Sequence, residues 1–278
     1  MTIIDRSSTG TDLTLSGVVA DYGAKERVGF FTDTSICIGC KACEVACKEW
    51  NDVPEDGLNF LGHSYDNTGQ LSADTWRHVA FVERPEPEGG LKWLMSSDVC
   101  KHCTSAGCLE VCPTGALFRT EFDTVVVQED VCNGCGYCVS ACPFGVIDQR
   151  KGDGRVWKCT LCYDRVKGGH TPACAQACPT QSIQFGPLEE LRARAAERVS
   201  TLQAAGDTRA RLYGDDPSDG VRGFGAFFLL MDEPEVYGLP PDPVSPTRDL
   251  PDMWRTAAVA AVSMLGLAAA TLLPGGRR

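Results

Sequence analysis

Sixteen cysteines dominate the chemistry this sequence can perform, and they fall into four quartets with none left over. Cys37, Cys40, Cys43 and Cys47 are spaced C-x2-C-x2-C-x3-C. Cys100, Cys103, Cys108 and Cys112 are spaced C-x2-C-x4-C-x3-C and precede Pro113. Cys132, Cys135, Cys138 and Cys142 repeat the first spacing and precede Pro143. Cys159, Cys162, Cys174 and Cys178 have a long central gap and precede Pro179.

Disulfides, zinc and iron–sulfur clusters are the three explanations for so many thiols. Disulfides belong to oxidising compartments and usually to small secreted domains. The segment Met1 to Gly10 shows neither an apolar export signal nor a twin-Arg pair, so disulfides are not expected. The first and third quartets have the bacterial ferredoxin spacing, which wraps three thiolates around one cubane. Zinc sites usually separate two pairs by a longer loop, so zinc stays open for the fourth quartet alone. In two-cluster ferredoxins the cysteine before the proline serves the other cluster. The expectation is four [4Fe–4S] clusters.

The net charge is −11, which argues against a nucleic-acid partner. Each oxidised cubane with its thiolates adds about −2. Lys41, Lys101, Lys158 and Arg165 flank the cysteines and can tune potentials, although each taken singly is expected to be a solvated surface charge. His102 sits inside the second quartet, where a surface role is as reasonable as a cluster contact. The other histidines, His63, His78 and His170, show no metal spacing. No phosphate-binding glycine loop or catalytic triad is evident, so no catalytic residue is assigned.

The elements that must position the cysteines are short. Strands are expected at 29–32, 75–82, 91–95, 116–119, 124–127 and 155–157, with a buried strand at 224–231. Leu188 to Ala205 reads as a helix with an apolar stripe of Leu188, Leu191, Ala195, Val199 and Leu202. Six prolines between Pro234 and Pro251 predict an extended arm. Thr256 to Leu273 is uncharged and predicts a single membrane-spanning helix, with Trp254 and Arg255 at one end and Arg277-Arg278 beyond the other. A buried Ala-rich docking helix is the alternative. Ala257/Ala261 and Gly266/Ala270 would let a partner helix pack closely.

The fold class expected is α+β, with two intercalated ferredoxin-like modules, each holding two clusters. The divisions are an N-terminal arm (1–28), the four-cluster core (29–186) and a helix, strand and proline arm (187–252). A membrane helix (253–274) and a basic tail (275–278) follow.

Four cluster motifs in this order resemble the iron–sulfur subunits of the molybdopterin oxidoreductase superfamily. Segments such as Tyr65-Asp66-Asn67, Leu71 to Trp76, Leu91-Lys92-Trp93-Leu94, Lys158 to Val166 and Tyr237-Gly238-Leu239-Pro240 resemble the beta subunits of respiratory formate dehydrogenase-N. The resemblance covers residue 29 to the C-terminal helix, and the N-terminal arm and short tail depart from it. It implies that Cys37, Cys40 and Cys43 take Cys178 as fourth ligand, and that Cys159, Cys162 and Cys174 take Cys47. It likewise implies that Cys100, Cys103 and Cys108 take Cys142, and that Cys132, Cys135 and Cys138 take Cys112. The implied role is electron transfer from a molybdenum- or tungsten-pterin catalytic subunit to a membrane subunit carrying a quinone site or haem b. The cluster domain would lie on the outer, periplasmic or extracytoplasmic, face of the membrane, with the cytoplasmic face as the alternative. Other readings are the same subunit of a polysulfide or dimethyl sulfoxide reductase, or a diffusing ferredoxin-like carrier.

Overall fold

A computed structural model describes residues 25–57, 60–62, 65–86 and 89–272. The N-terminal arm up to residue 24, His63 and the Arg277-Arg278 tail lie outside the described residues. The chain runs β1 (Val28–Asp33), α1 (Ala42–Asn51), β2 (Arg77–Pro85), β3 (Leu91–Val99), α2 (Gly107–Glu110), β4 (Leu117–Arg119) and β5 (Val125–Val127). It continues through α3 (Tyr137–Ser140), β6 (Asp148–Gln149), β7 (Val156–Trp157), α4 (Tyr163–Lys167), α5 (Ala173–Gln176) and β8 (Ile183–Pro187). The last elements are α6 (Leu188–Ala204), β9 (Arg211–Tyr213), β10 (Ala226–Leu230) and α7 (Leu250–Leu272).

The central sheet has the order β8-β1-β10-β9. β1 and β10 pair in parallel, although most of the cluster-bearing sequence lies between them. Both are almost wholly buried, β10 entirely apolar and β1 apolar up to Thr32 and Asp33, as strands covered on two faces tend to be. Phe227, Phe228, Leu229 and Leu230 are fully buried, and each contributes roughly 1.5–3 kcal/mol of burial. β8 is an edge strand antiparallel to β1, which tolerates Pro187 at its end. The sequence expectation ended the core at Gly186-Pro187 and missed this strand, because Gly and Pro read as breakers. Three-residue β9 and two-residue β6 were also missed; both are too short to carry a period.

Gly29 shows how tightly the sheet is drawn. A Cβ there would stand 2.0 Å from the backbone oxygen of Gly225, which accepts the Phe30 N–H at 2.8 Å. Backbone cannot move aside as a side chain can. Gly29→Ala should therefore destabilise the protein by about 1–3 kcal/mol, measured as a lowered midpoint of thermal unfolding. An unchanged midpoint would mean that the two strands separate freely.

α6 forms as expected and buries Leu188, Leu191 and Ala195 against the sheet side of the core. A second apolar core of Ala106, Leu117, Val125, Cys138, Ile147 and Val156 lies under the β4–β5 and β6–β7 ladders. The proline-rich stretch opens with a 3-10 turn at Pro234–Tyr237 and then runs over the body. There the Tyr213 hydroxyl donates to the Pro240 carbonyl at 2.6 Å, and the Ser245 N–H donates to the Gly220 carbonyl at 3.0 Å. The Thr247 hydroxyl donates to Glu110 on α2. α7 begins at Leu250, earlier than expected, because Pro251 falls in the first turn, where no N–H is needed.

Among the described residues, one helix can cross a membrane by length and composition: Asp252–Thr271, with none of its 20 residues buried. At about 1.5 Å per residue it spans about 30 Å. The helix is not buried in this chain's own core, which leaves a membrane span or docking on a partner as its uses.

Candidate functional site

The first cysteine loop is shaped by its neighbours in the chain. Asp33 caps a 3-10 turn by accepting the Ser35 N–H at 2.9 Å. The chain then turns through Gly39 (φ +65°) and Lys41 (φ 61°) into α1. Cys43 and Cys47 are one helical turn apart on that helix, and both are buried. A cavity of ≈ 300 Å³ opens here, lined by Cys37, Cys40, Cys43 and Cys178. Cys178 comes from the far end of the cluster-bearing sequence, just beyond α5, which packs against α1.

Cys47 has different cysteine partners. The charges that raise its pKa, after burial, are those of Cys159, Cys174 and Cys162. The Asn51 side-chain amide lies 3.7 Å from the Cys47 sulfur and 3.8 Å from the Cys162 sulfur, bridging the two sequence-distant residues. Cys159 accepts the Leu161 N–H at 3.3 Å, and left-handed backbone at Leu161 and Cys162 turns this loop.

The second half repeats the pattern. A cavity of ≈ 270 Å³ is lined by Cys112, Cys132, Cys135 and Cys138. After burial, the charges that raise the Cys103 pKa are those of Cys100, Cys108 and Cys142. Asn133 accepts the Cys135 N–H at 3.2 Å, and Gly134 and Gly136 take the positive φ that this loop needs. Each of the two cavities therefore brings together cysteines of two quartets, and none of the sixteen cysteines is in a disulfide.

Burial sets the protonation of these thiols. It pushes Cys43 and Cys162 up to about 11, and Cys108, Cys138 and Cys159 up to about 12. At Cys112 burial also acts upward, but the Leu117 N–H and the Thr114 hydroxyl and N–H outweigh it and lower the pKa. Buried thiolates need a positive group at hand. Iron supplies that charge and displaces the protons. Soft sulfur donors around buried cavities thus fit the [4Fe–4S] cluster, which takes four cysteines.

Two flanking lysines are not the surface charges expected from sequence. Lys101 and Lys158 are fully buried. Lys101 pairs with Asp98, donates to the Val99 carbonyl at 2.9 Å and stands 4.9 Å from the Phe228 ring centroid. Lys158 donates to the carbonyls of Val125 and, at 2.9 Å, Cys159. Their long stems enter the core while the ammonium is satisfied by local acceptors, which spacing does not reveal. Lys41 lies nearer the surface, between Asp66 at 3.1 Å and Glu44 at 3.4 Å. Arg165 stacks over the Trp50 ring at 4.1 Å.

His102 is also buried. Its Nδ1 accepts the Val125 N–H at 3.1 Å, tying the second cysteine loop to β5. Burial, with Lys158 nearby, pushes its pKa well below the usual value, so the ring is neutral. The same loop hydrogen-bonds the start of β10 through the Lys101 and His102 carbonyls. Arg77, Ser97 and Asn51 were missed from sequence. The one signal for Arg77 is its place two residues before Val79, on the same strand face.

A 4Fe-4S dicluster domain model matches residues 36–116, and a second matches residues 91–188. The chain is 43% identical over 259 residues to the nitrate-inducible formate dehydrogenase iron–sulfur subunit of Escherichia coli (strain K12), covering 92% of this chain and 85% of that protein. It is 44% identical over 253 residues to the formate dehydrogenase iron–sulfur subunit of Haemophilus influenzae, covering 88% and 79%. A subunit of the anaerobic dimethyl sulfoxide reductase of Escherichia coli (strain K12) is 39% identical over 167 residues, covering 60% of this chain and 76% of that protein.

Proposed function

This chain belongs to the family of formate dehydrogenase iron–sulfur subunits, and from that premise we propose that it carries electrons between a molybdenum- or tungsten-pterin catalytic subunit and a quinone-reducing membrane subunit. The observation that carries the reading is the pair of cavities that are each lined by cysteines of two quartets.

Four [4Fe–4S] clusters supply one-electron storage sites when bound. The protein's part is to hold them in fixed order and keep water out. The ligand sets are Cys37, Cys40, Cys43 with Cys178; Cys159, Cys162, Cys174 with Cys47; Cys100, Cys103, Cys108 with Cys142; and Cys132, Cys135, Cys138 with Cys112. The two cavities and the sulfur neighbours support this crossed pairing. The mutual charge effects of Cys43 with Cys174, of Cys159 with Cys100, and of Cys108 with Cys138 support a linear order of the sets. Electrons would then travel from the first quartet's site to the fourth's, the second's and the third's.

The two apolar cores favour two intercalated modules, the second built from the stretch around residues 106–156 and inserted into the first. The chain then divides as its sequence suggests: an arm at 1–28, the core at 29–186, the α6 and arm region at 187–252, the helix at 253–274 and the tail at 275–278. α7 would cross the membrane once, with the cluster body on the outer face.

Purified anaerobically, the chain should hold about 16 irons. It should accept electrons from dithionite yet show no formate-dependent dye reduction, whereas the complex copurified with its pterin subunit should show it. Formate-dependent reduction by the chain alone would overturn the division of labour.

A further inference from the structure

Arg77 is wholly buried at the start of β2, and no carboxylate among the described residues pairs with it. Its Nη1 donates to the Ser97 carbonyl at 3.2 Å and to the Ser97 hydroxyl at 3.1 Å. Its guanidinium carbon lies 5.0 Å from the Phe30 ring centroid. The Nε and Nη2 atoms are buried with no hydrogen-bond partner. A guanidinium has five N–H donors, and leaving two nitrogens unmatched in a dry interior is costly unless an anion stands beside them. Lys101 has Asp98 and Lys158 donates to two neutral carbonyls, so of these three buried cations Arg77 is the one left with unmatched donors.

The negative groups around Arg77 are sulfurs. Cys174, Cys43, Cys159 and Cys47 all favour its charged form. They come from both of the sets assigned above to the first and fourth quartets' clusters. The Ser97 hydroxyl, having accepted from Arg77, lies 3.3 Å from the Cys43 sulfur and can donate to it. Arginine suits this place better than lysine, because its planar fork addresses two neighbours at once and stays charged in the interior.

We propose that Arg77 is the shared counter-cation of two clusters, those of Cys37, Cys40, Cys43, Cys178 and of Cys47, Cys159, Cys162, Cys174, raising both reduction potentials together. This rests on the cluster assignment above. Reduction adds negative charge in a low-dielectric interior, and a fixed cation between the two sites favours that charge at each. Cys43 is linked to Arg77 by its charge and also through the Ser97 hydroxyl. Arg77 is a positioning residue for electrons, with no substrate contact.

The test is a redox titration of the assembled complex, followed by the electron paramagnetic resonance signals of the four clusters. Arg77→Met keeps bulk and removes charge. It should lower the midpoints of these two clusters by at least the equivalent of a tenfold change in the reduction equilibrium, about 59 mV for one electron, and leave the other two unmoved. Arg77→Lys should restore most of the shift at both sites. Ser97→Ala keeps the charge and should lower the Cys43-side cluster alone, so the proposal stays testable if Arg77→Met assembles poorly. No shift in Arg77→Met, or an equal shift at all four clusters, overturns the proposal; so does a Ser97→Ala variant that moves neither cluster or both alike. A wild-type complex without these four signals, or a purified chain without about 16 irons, would instead overturn the cluster assignment.

Discussion

Replacing Cys178 by alanine should cost the protein the cluster held by the first cysteine loop, although Cys178 belongs to the last quartet in the sequence. Iron content should fall from about 16 to about 12 per chain. The spectroscopic signal that disappears should be that of the site shared with Cys37, Cys40 and Cys43. The reason is geometric: Cys178 lines the same cavity as those three residues, and α5 delivers it there by packing on α1. The fourth quartet's other members keep their own neighbour in Cys47, so their site should stay loaded. Loss of the fourth-quartet cluster with the first intact would show the pairing to be within quartets. The variant needs anaerobic handling, because an opened site with a buried, charge-rich lining is the place where oxidation and hydrolysis begin.

Removing residues 250–278 should move the protein from the membrane fraction to the soluble one without unfolding it. α7 is exposed along its whole described apolar span, so the cluster body loses no core contact when it goes. The full chain should resist carbonate and high salt and need detergent for release. Leu265→Arg, near the middle of the helix, should weaken insertion by about 2.5–3.5 kcal/mol. Extraction of the intact chain by carbonate alone would mean that α7 docks on a protein surface and does not span. Protease added to cells stripped of their outer layers reads the sidedness. Digestion of the body places it outside, and protection until lysis reverses the orientation.

Much of this molecule is legible in its sequence. Cysteine spacing states the cofactor because a cubane needs thiolates at short, fixed intervals, and a local motif suffices to present three of them. α6 announces itself by a strong 3.6-residue stripe, acidic residues in its first turn and Gly206 after its end. α7 announces itself by an uncharged run, and only its first turn escapes the pattern, since a proline at a helix start looks like a proline that forbids a helix. The β2–β3 pair forms where the sequence places it but runs longer in both strands, through Pro85 and Val99, because register against a partner extends pairing beyond the apolar period.

Other features have no local signal. β8 and β9 exist because β1 and β10 offer them edges to pair with, and neither segment has a strand pattern long enough to stand alone. The parallel pairing of β1 with β10 joins segments nearly two hundred residues apart, which only the folded chain brings together. The same holds for the site. The sequence by itself determined that sixteen cysteines hold iron and that one end is long and apolar enough to cross a membrane. The tertiary structure decided which quartets share a cavity, since that depends on α1 meeting α5. It also decided where the cations go. Lys101, Lys158 and Arg77 look like ordinary polar residues in the sequence, and whether a charge is solvated or sealed between sulfurs depends on what packs over it from distant parts of the chain.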